Sequence, residues 1–280
     1  MKRFLLPLAS AIAALSLTSC LQNETTIHLN KDGSGTLVEE TTLGAQMLAM
    51  MEQMAGAFGG AAGGADKKDP MADSFSEKKA KARAATLGEG VTLEKNEAIT
   101  KDGNKGGRAT YHFADINKLR ISPSDGMKDA SPMGGMGGHM PEAKKSKPII
   151  FTYAPGKLTI AMPEQEKVDG PAPEAPAAPA EERPEPGEQD IVMMKQMMGD
   201  MKISLKVVIE PGIAETNATH HTGNTITLME MDMGKLMENP EALKKMGKAD
   251  KNDPAAAMEL FKGIQGMKME TQKEITVKLN

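Results

Sequence analysis

With no tryptophan, two tyrosines and six phenylalanines, this 280-residue chain has very little aromatic material from which to build a core. Its one cysteine excludes an internal disulfide, so the fold must hold by packing alone, even in an oxidising compartment. Charge is not in excess on the basic side either, since 34 basic residues stand against 38 acidic ones, a net charge of −4. Such a chain has no cationic surplus to release counterions, which excludes nucleic acid as a partner. Beyond the first twenty residues there is no long apolar run, and a membrane-spanning helix needs roughly 20 apolar residues. Common catalytic signatures are missing too. No serine sits in G-x-S-x-G, there is no H-E-x-x-H or G-x-x-x-x-G-K-[ST], and the carboxylates show no spacing that singles out an acid and a base. The expectation is a protein that is not an enzyme and carries no cofactor.

What is present in excess is methionine, 24 residues of it, with 28 glycines and 17 prolines. Methionine is flexible and polarizable and fills places where leucine or phenylalanine usually stands. Glycine and proline gather in two low-complexity stretches. Residues 122–147 read as a loop that cannot offset the entropy of ordering. Residues 163–188, rich in Pro, Ala and Glu, favour extended geometry and read as a linker or surface insertion.

The N-terminus carries the clearest signal. Lys2 and Arg3 precede an apolar run from Phe4 to Leu17, too short to span a bilayer, and the run closes on Leu17-Thr18-Ser19-Cys20. This end resembles the lipobox of bacterial lipoproteins, which implies a signal peptide over 1–19 and lipid on Cys20. Two or three acyl chains such as palmitate anchor far more firmly than one. Leu21, where some lipoprotein systems place a retention aspartate, implies an outer-membrane protein facing the periplasm. The organisation expected is a signal peptide at 1–19, one part of a domain at 20–162, the insertion at 163–188, and the rest of the same domain at 189–280.

Alternation and turn chemistry fill in the body. Residues 22–43 read as a hairpin around N-K-D-G-S-G, residues 91–117 as a second around K-D-G-N-K-G-G, and 148–162 as a third around Ala154-Pro155-Gly156. Met201 to Ile209 alternates most clearly, and T-I-T-L-M-E-M returns from it; Met267 to Leu279 is a final strand. Met47, Met50, Met51 and Met54 fall at helical spacing, as do Ile191, Met194, Met198 and Met201. Helices are also expected over 73–87 and after Asn239-Pro240 and Asp253-Pro254. The fold class predicted is α+β: antiparallel hairpins forming a curved sheet, with helices packed on one face and long disordered insertions.

Three segments together, T-T-I-H-L-N-K-D-G-S-G-T, A-T-Y-H-F-A-D-I-N-K-L and K-I-S-L-K-V-V-I-E-P-G-I-A-E-T-N-A-T-H-H-T-G-N-T-I-T-L, resemble the LppM-type domain of bacterial envelope lipoproteins. The matching positions are Asp32, Gly33, Gly35, Phe113, Pro211, Gly212, Asn217, Gly223 and Asn224. Leu228 stands where family members often carry tryptophan, and the two low-complexity insertions also depart from the pattern. The resemblance implies an envelope domain without an established reaction, one that binds lipid or another apolar molecule.

Thioether sulfur is a soft ligand that selects Cu(I). Met133, Met136, His139 and Met140, in M-G-G-M-G-G-H-M, could bring three sulfurs and an imidazole to one ion; a low-complexity loop is the competing reading. For Met47, Met50, Met51 and Met54, and for Met193, Met194, Met197, Met198 and Met201, packing explains the spacing better than metal. His220 and His221 are adjacent in a turn and point apart, so they do not chelate together. The leading expectation is a membrane-anchored, non-catalytic envelope lipoprotein with a Met-lined groove for an acyl chain or a partner's helix. A Cu(I)-binding periplasmic protein and a structural or assembly lipoprotein that meets other envelope proteins are the alternatives.

Overall fold

Alternation along Leu21 to Leu29 sets the first strand, β1 (Leu21–Leu29), with Leu21, Asn23, Thr25, Ile27 and Leu29 buried and the residues between them half-exposed. This is the two-residue period of a strand with one covered face. The computed structural model describes residues 21–45, 47–49, 53, 75–123, 147–163, 199, 201–239 and 263–280. β2 (Gly35–Leu43) returns from β1, and β3 (Thr92–Lys101) and β4 (Asn104–Phe113) form the next hairpin. A 3₁₀ turn (Ile116–Lys118) leads to the short β5 (Arg120–Ile121), and then come β6 (Ile149–Ala154) and β7 (Lys157–Ala161). The remaining strands are β8 (Lys202–Ile209), β9 (Ile213–Thr216), β10 (His221–Thr222), β11 (Thr225–Asp232), β12 (Met267–Met269) and β13 (Glu274–Leu279). Helix α1 (Glu77–Thr86) precedes β3, and α2 (Met233–Glu238) follows β11.

Two sheets result. The larger runs β10-β11-β8-β1-β2-β4-β3 with β12 also on β11, and the smaller runs β5-β6-β7-β13-β9. Ile27, Leu37, Tyr111, Phe113 and Val207 of the larger sheet share one core with Phe151, Leu158, Ile160, Ile275 and Val277 of the smaller. The α+β expectation is therefore wrong. The protein is mostly β, and what meets the inner face of the large sheet is chiefly a second sheet. The physical reason lies in residues 149–161 and 274–279, whose alternating apolar residues pair with one another and bring a second apolar face of their own. Helix α1 does lie at this core through the buried Ala84, but it starts at Glu77 rather than at 73. Phe75, ahead of it, packs on Gly107 of β4.

The hairpins fall where the turn residues place them. Asp102 (φ 52°) and Gly103 (φ 81°) form the two-residue turn between Lys101 and Asn104, the left-handed pair that such a hairpin needs. Asp32 organises the first turn, its carboxylate accepting from the Ser34 amide at 3.0 Å and the Ser34 hydroxyl at 2.6 Å. Among the described strands one pairing is parallel: β1 and β8, with Ile27 opposite Val207, meet across the whole intervening chain. Strands from the two sides of segment 163–188 thus join in each sheet, at β1–β8 in the larger and at β7–β13 in the smaller. The signal segment, nearly all of the two low-complexity stretches, and the helices expected around 188–200, 240 and 254 lie outside the described residues.

Gly35 supplies a stability test. A methyl there would run into the His28 carbonyl oxygen and the Phe113 ring, whereas at Gly90 (φ 81°) nothing stands within 4 Å. Gly90→Ala is expected to cost about 1–2 kcal/mol, the left-handed penalty alone. Gly35→Ala is expected to cost roughly 3 kcal/mol or more, since backbone in a close-packed ladder cannot give way. Urea unfolding midpoints of the two variants test the ordering, and equal midpoints refute it.

Candidate functional site

Cys20, Met133, Met136, His139 and Met140 lie outside the described residues, as do Met50, Met51, Met54, Met193, Met194, Met197 and Met198. Of the helical-spacing methionines, Met47 and Met201 are described, and both pack against the main core. His220 stands just before β10 and His221 opens that strand, opposite Ile226 of β11. The His220 carbonyl accepts from the Thr227 amide at 2.9 Å, and the His221 ring lies 3.4 Å from the Ala218 carbonyl.

The residues that carry the family resemblance turn out to shape backbone. Gly33 (φ 88°) lies under the Tyr153 ring, whose hydroxyl donates to the Lys31 carbonyl. Pro211 and Gly212 (φ 92°) form the corner at which the chain leaves β8 for the second sheet. Asn217 accepts from the Thr276 amide at 2.7 Å and donates to the Glu274 carbonyl at 3.1 Å, tying its loop to β13. Gly223 (φ 58°), with Asn224, makes the two-residue turn between β10 and β11. Sequence reasoning missed Glu270, buried to 3% exposure. Its carboxylate accepts from the Thr219 hydroxyl and amide at 2.6 and 2.9 Å and from the Thr271 and Gln272 amides, both at 2.8 Å. A carboxylate so fully occupied is a loop anchor, and no spacing in the sequence announces it.

Three features remain as candidate sites. One is a cleft of about 250 Å³, part of it open to solvent, beneath the N-terminal half of β1. Asn23, Thr25, Ile203, Leu205 and Met229 form its floor, and Arg83 and Ile121 to Pro123 its walls. Arg83 is not free to receive a ligand. Its Nε and Nη2 donate to one Glu39 oxygen at 3.0 and 2.8 Å, and both side chains are about four-fifths buried. The enclosed part has room for about one water molecule. That does not accommodate an acyl chain.

A second feature is a ladder of charges on the other face of the large sheet. Lys206 meets Glu24 at 2.6 Å, Lys101 meets Glu40 at 2.8 Å, and Arg108 donates twice to Glu40 at 3.0 and 2.8 Å. Glu97 continues it, 2.7 Å from Lys95 and 3.6 Å from Arg108. Burial alone pushes the Glu40 carboxyl up, but the hydrogen bonds and charges of Lys101 and Arg108 outweigh it and hold the group below its ordinary value. The register of five strands is needed to see this ladder, because its members are scattered from residue 24 to residue 206.

Methionine supplies the third. A satellite core beside the main one consists of the buried Met233, Leu236, Met237 and Ile264, with Met201, Met231 and Met267 packed against it. The expected Met-lined groove is not what these residues form. Met233 and Met237 are 4% exposed or less.

Because Glu40 has a lowered folded pKa, its contribution to stability is present above about pH 4.5 and lost as acid protonates it in the folded state. Glu40→Gln is expected to lower stability at pH 7 and to flatten the decline in stability below about pH 4.5. Urea titrations of both proteins at pH 7 and pH 3 test this, and an unchanged pH dependence in the variant refutes it.

No protein-family model and no curated protein matches this chain. Among solved structures, the NMR structure of the folded domain of the Mycobacterium tuberculosis LppM protein is similar at 9% identity, covering 78% of this chain and 85% of that one, with a TM-score of 0.34.

Proposed function

We propose that this chain is a non-catalytic envelope lipoprotein, anchored through Cys20, whose folded body presents a surface to an apolar envelope molecule or another envelope protein. The observation that supports it most is the lack of a spacer. Leu21, the residue after Cys20, already opens β1, pairs with Leu43 and is 3% exposed. One residue reaches at most about 3.6 Å, so lipid on Cys20 would hold this end of the sheet at the headgroups. Nine residues at about 3.3 Å each give β1 a length of some 30 Å, from that end to the turn at Asn30 to Ser34. The polar side chains described above, Glu270, Asn217, Arg83 and Glu40, are each spent on holding the fold, which supports binding over catalysis. The narrow cleft argues for contact on the outside of the body. Leu21 in place of aspartate supports an outer-membrane location facing the periplasm.

Intact-mass analysis of the protein from the membrane fraction tests the reading. The expected N-terminus is Cys20 carrying diacylglyceryl and acyl mass, with Cys20→Ala moving the protein to the soluble fraction. An unmodified Cys20 in freely released protein overturns it.

A further inference from the structure

We propose that the methionine cluster beside α2 is a binding site for Cu(I), independent of whether Cys20 is acylated. Five methionines reach it from four separate places: Met201 before β8, Met231 in β11, Met233 and Met237 in α2, and Met267 in β12. Met233 and Met237 are four residues apart and share one face of the helix. Met231 and Met267 are direct partners across β11 and β12, so their side chains stand side by side. The Met233 amide donates to the Met201 carbonyl at 2.9 Å, which fixes the start of α2 over the start of β8.

Ordinary packing does not account for the concentration. Among the described residues the main core has 28 buried members, of which only Met229 is methionine; the other methionines that touch it, Met47, Met162, Met201 and Met231, are half-buried at its margin, the last two shared with the satellite. The satellite core instead has methionine at two of four buried positions and at all three of its half-buried neighbours. Leucine and isoleucine, which fill the main core, have better-defined rotamers and would serve a purely structural role as well.

The chemistry fits a soft monovalent ion. Thioethers select Cu(I), and they are neutral, so binding neither needs nor releases a proton. The buried pair on α2 forms the base of the site, and the half-buried Met201, Met231 and Met267 form a rim at which an incoming ion can exchange ligands. The neighbouring charged groups on the same elements are Asp232 with Lys235 at 3.3 Å, Glu230 with Lys268 at 3.2 Å, Glu238 and Lys202.

The test is an anaerobic Cu(I) titration of the full mature chain against a chromophoric Cu(I) chelator. Wild type is expected to hold one ion at this site, with the same affinity at pH 5.5 and 7.5. Met233→Leu/Met237→Leu conserves volume, which a core tolerates at less than about 1.5 kcal/mol. It is expected to weaken that ion by more than the roughly 10–100-fold lost when only an outer-shell partner is removed. Substituting Met133, Met136, His139 and Met140 by leucine together is expected to leave it in place. Circular dichroism confirms the fold, and Met231→Leu/Met267→Leu serves if the first variant does not fold. Failure of wild type to compete with the chelator overturns the proposal. So does unchanged binding in a folded cluster variant, or affinity that falls below about pH 6.5, the signature of an imidazole ligand.

Discussion

The pairing of β1 on both its edges is the constraint from which the rest of the molecule follows. On one side it meets β2 in an antiparallel hairpin, and on the other it meets β8 in parallel. Its odd-numbered residues line the inner face, apolar where the second sheet packs and polar at Asn23 and Thr25, where the cleft opens. Its even-numbered residues contribute Glu24 to the charge ladder and His28 to a 2.7 Å contact with Glu210. A one-residue slip in this strand would exchange these faces, put Glu24 in the core and expose Ile27. The identical period of β8 makes that slip costly on two sides at once.

Much of this was legible in the sequence, and the particular residues explain which parts. Asp102-Gly103 and Pro155-Gly156 mark hairpin turns because few other residues adopt their backbone conformations. Alternation in Leu21 to Leu29 and Met201 to Ile209 marked strands and their buried faces. Periodicity says which face is buried, however, and not which neighbour buries it. So the parallel β1–β8 pair and the second sheet were invisible, and helices were assigned the face that the second sheet covers. Asn217 and Gly212 were recognised only as pattern matches; the structure gives each a backbone to hold.

The same limit applies to the candidate sites. The Arg83–Glu39 pair, the Glu270 anchor and the ladder through Glu40 join residues separated by tens to hundreds of positions. The methionines beside α2 are dispersed from residue 201 to residue 267, with no period to connect them. Composition announced an excess of thioether, but only the fold shows that the excess is uneven. Among the described residues methionine is one of 28 buried members of the main core and two of four in the satellite.

The parallel partnership of β1 also bears on how the protein is made. Glu24 and Lys206 lie 182 positions apart, so half of the hydrogen bonding of β1 is unavailable until most of the chain has emerged. Contacts this remote form late, because loop closure must precede any gain from them. The strand that begins at Leu21 therefore stays half-paired until β8 has been made, and closure of the large sheet is a late step set by topology alone.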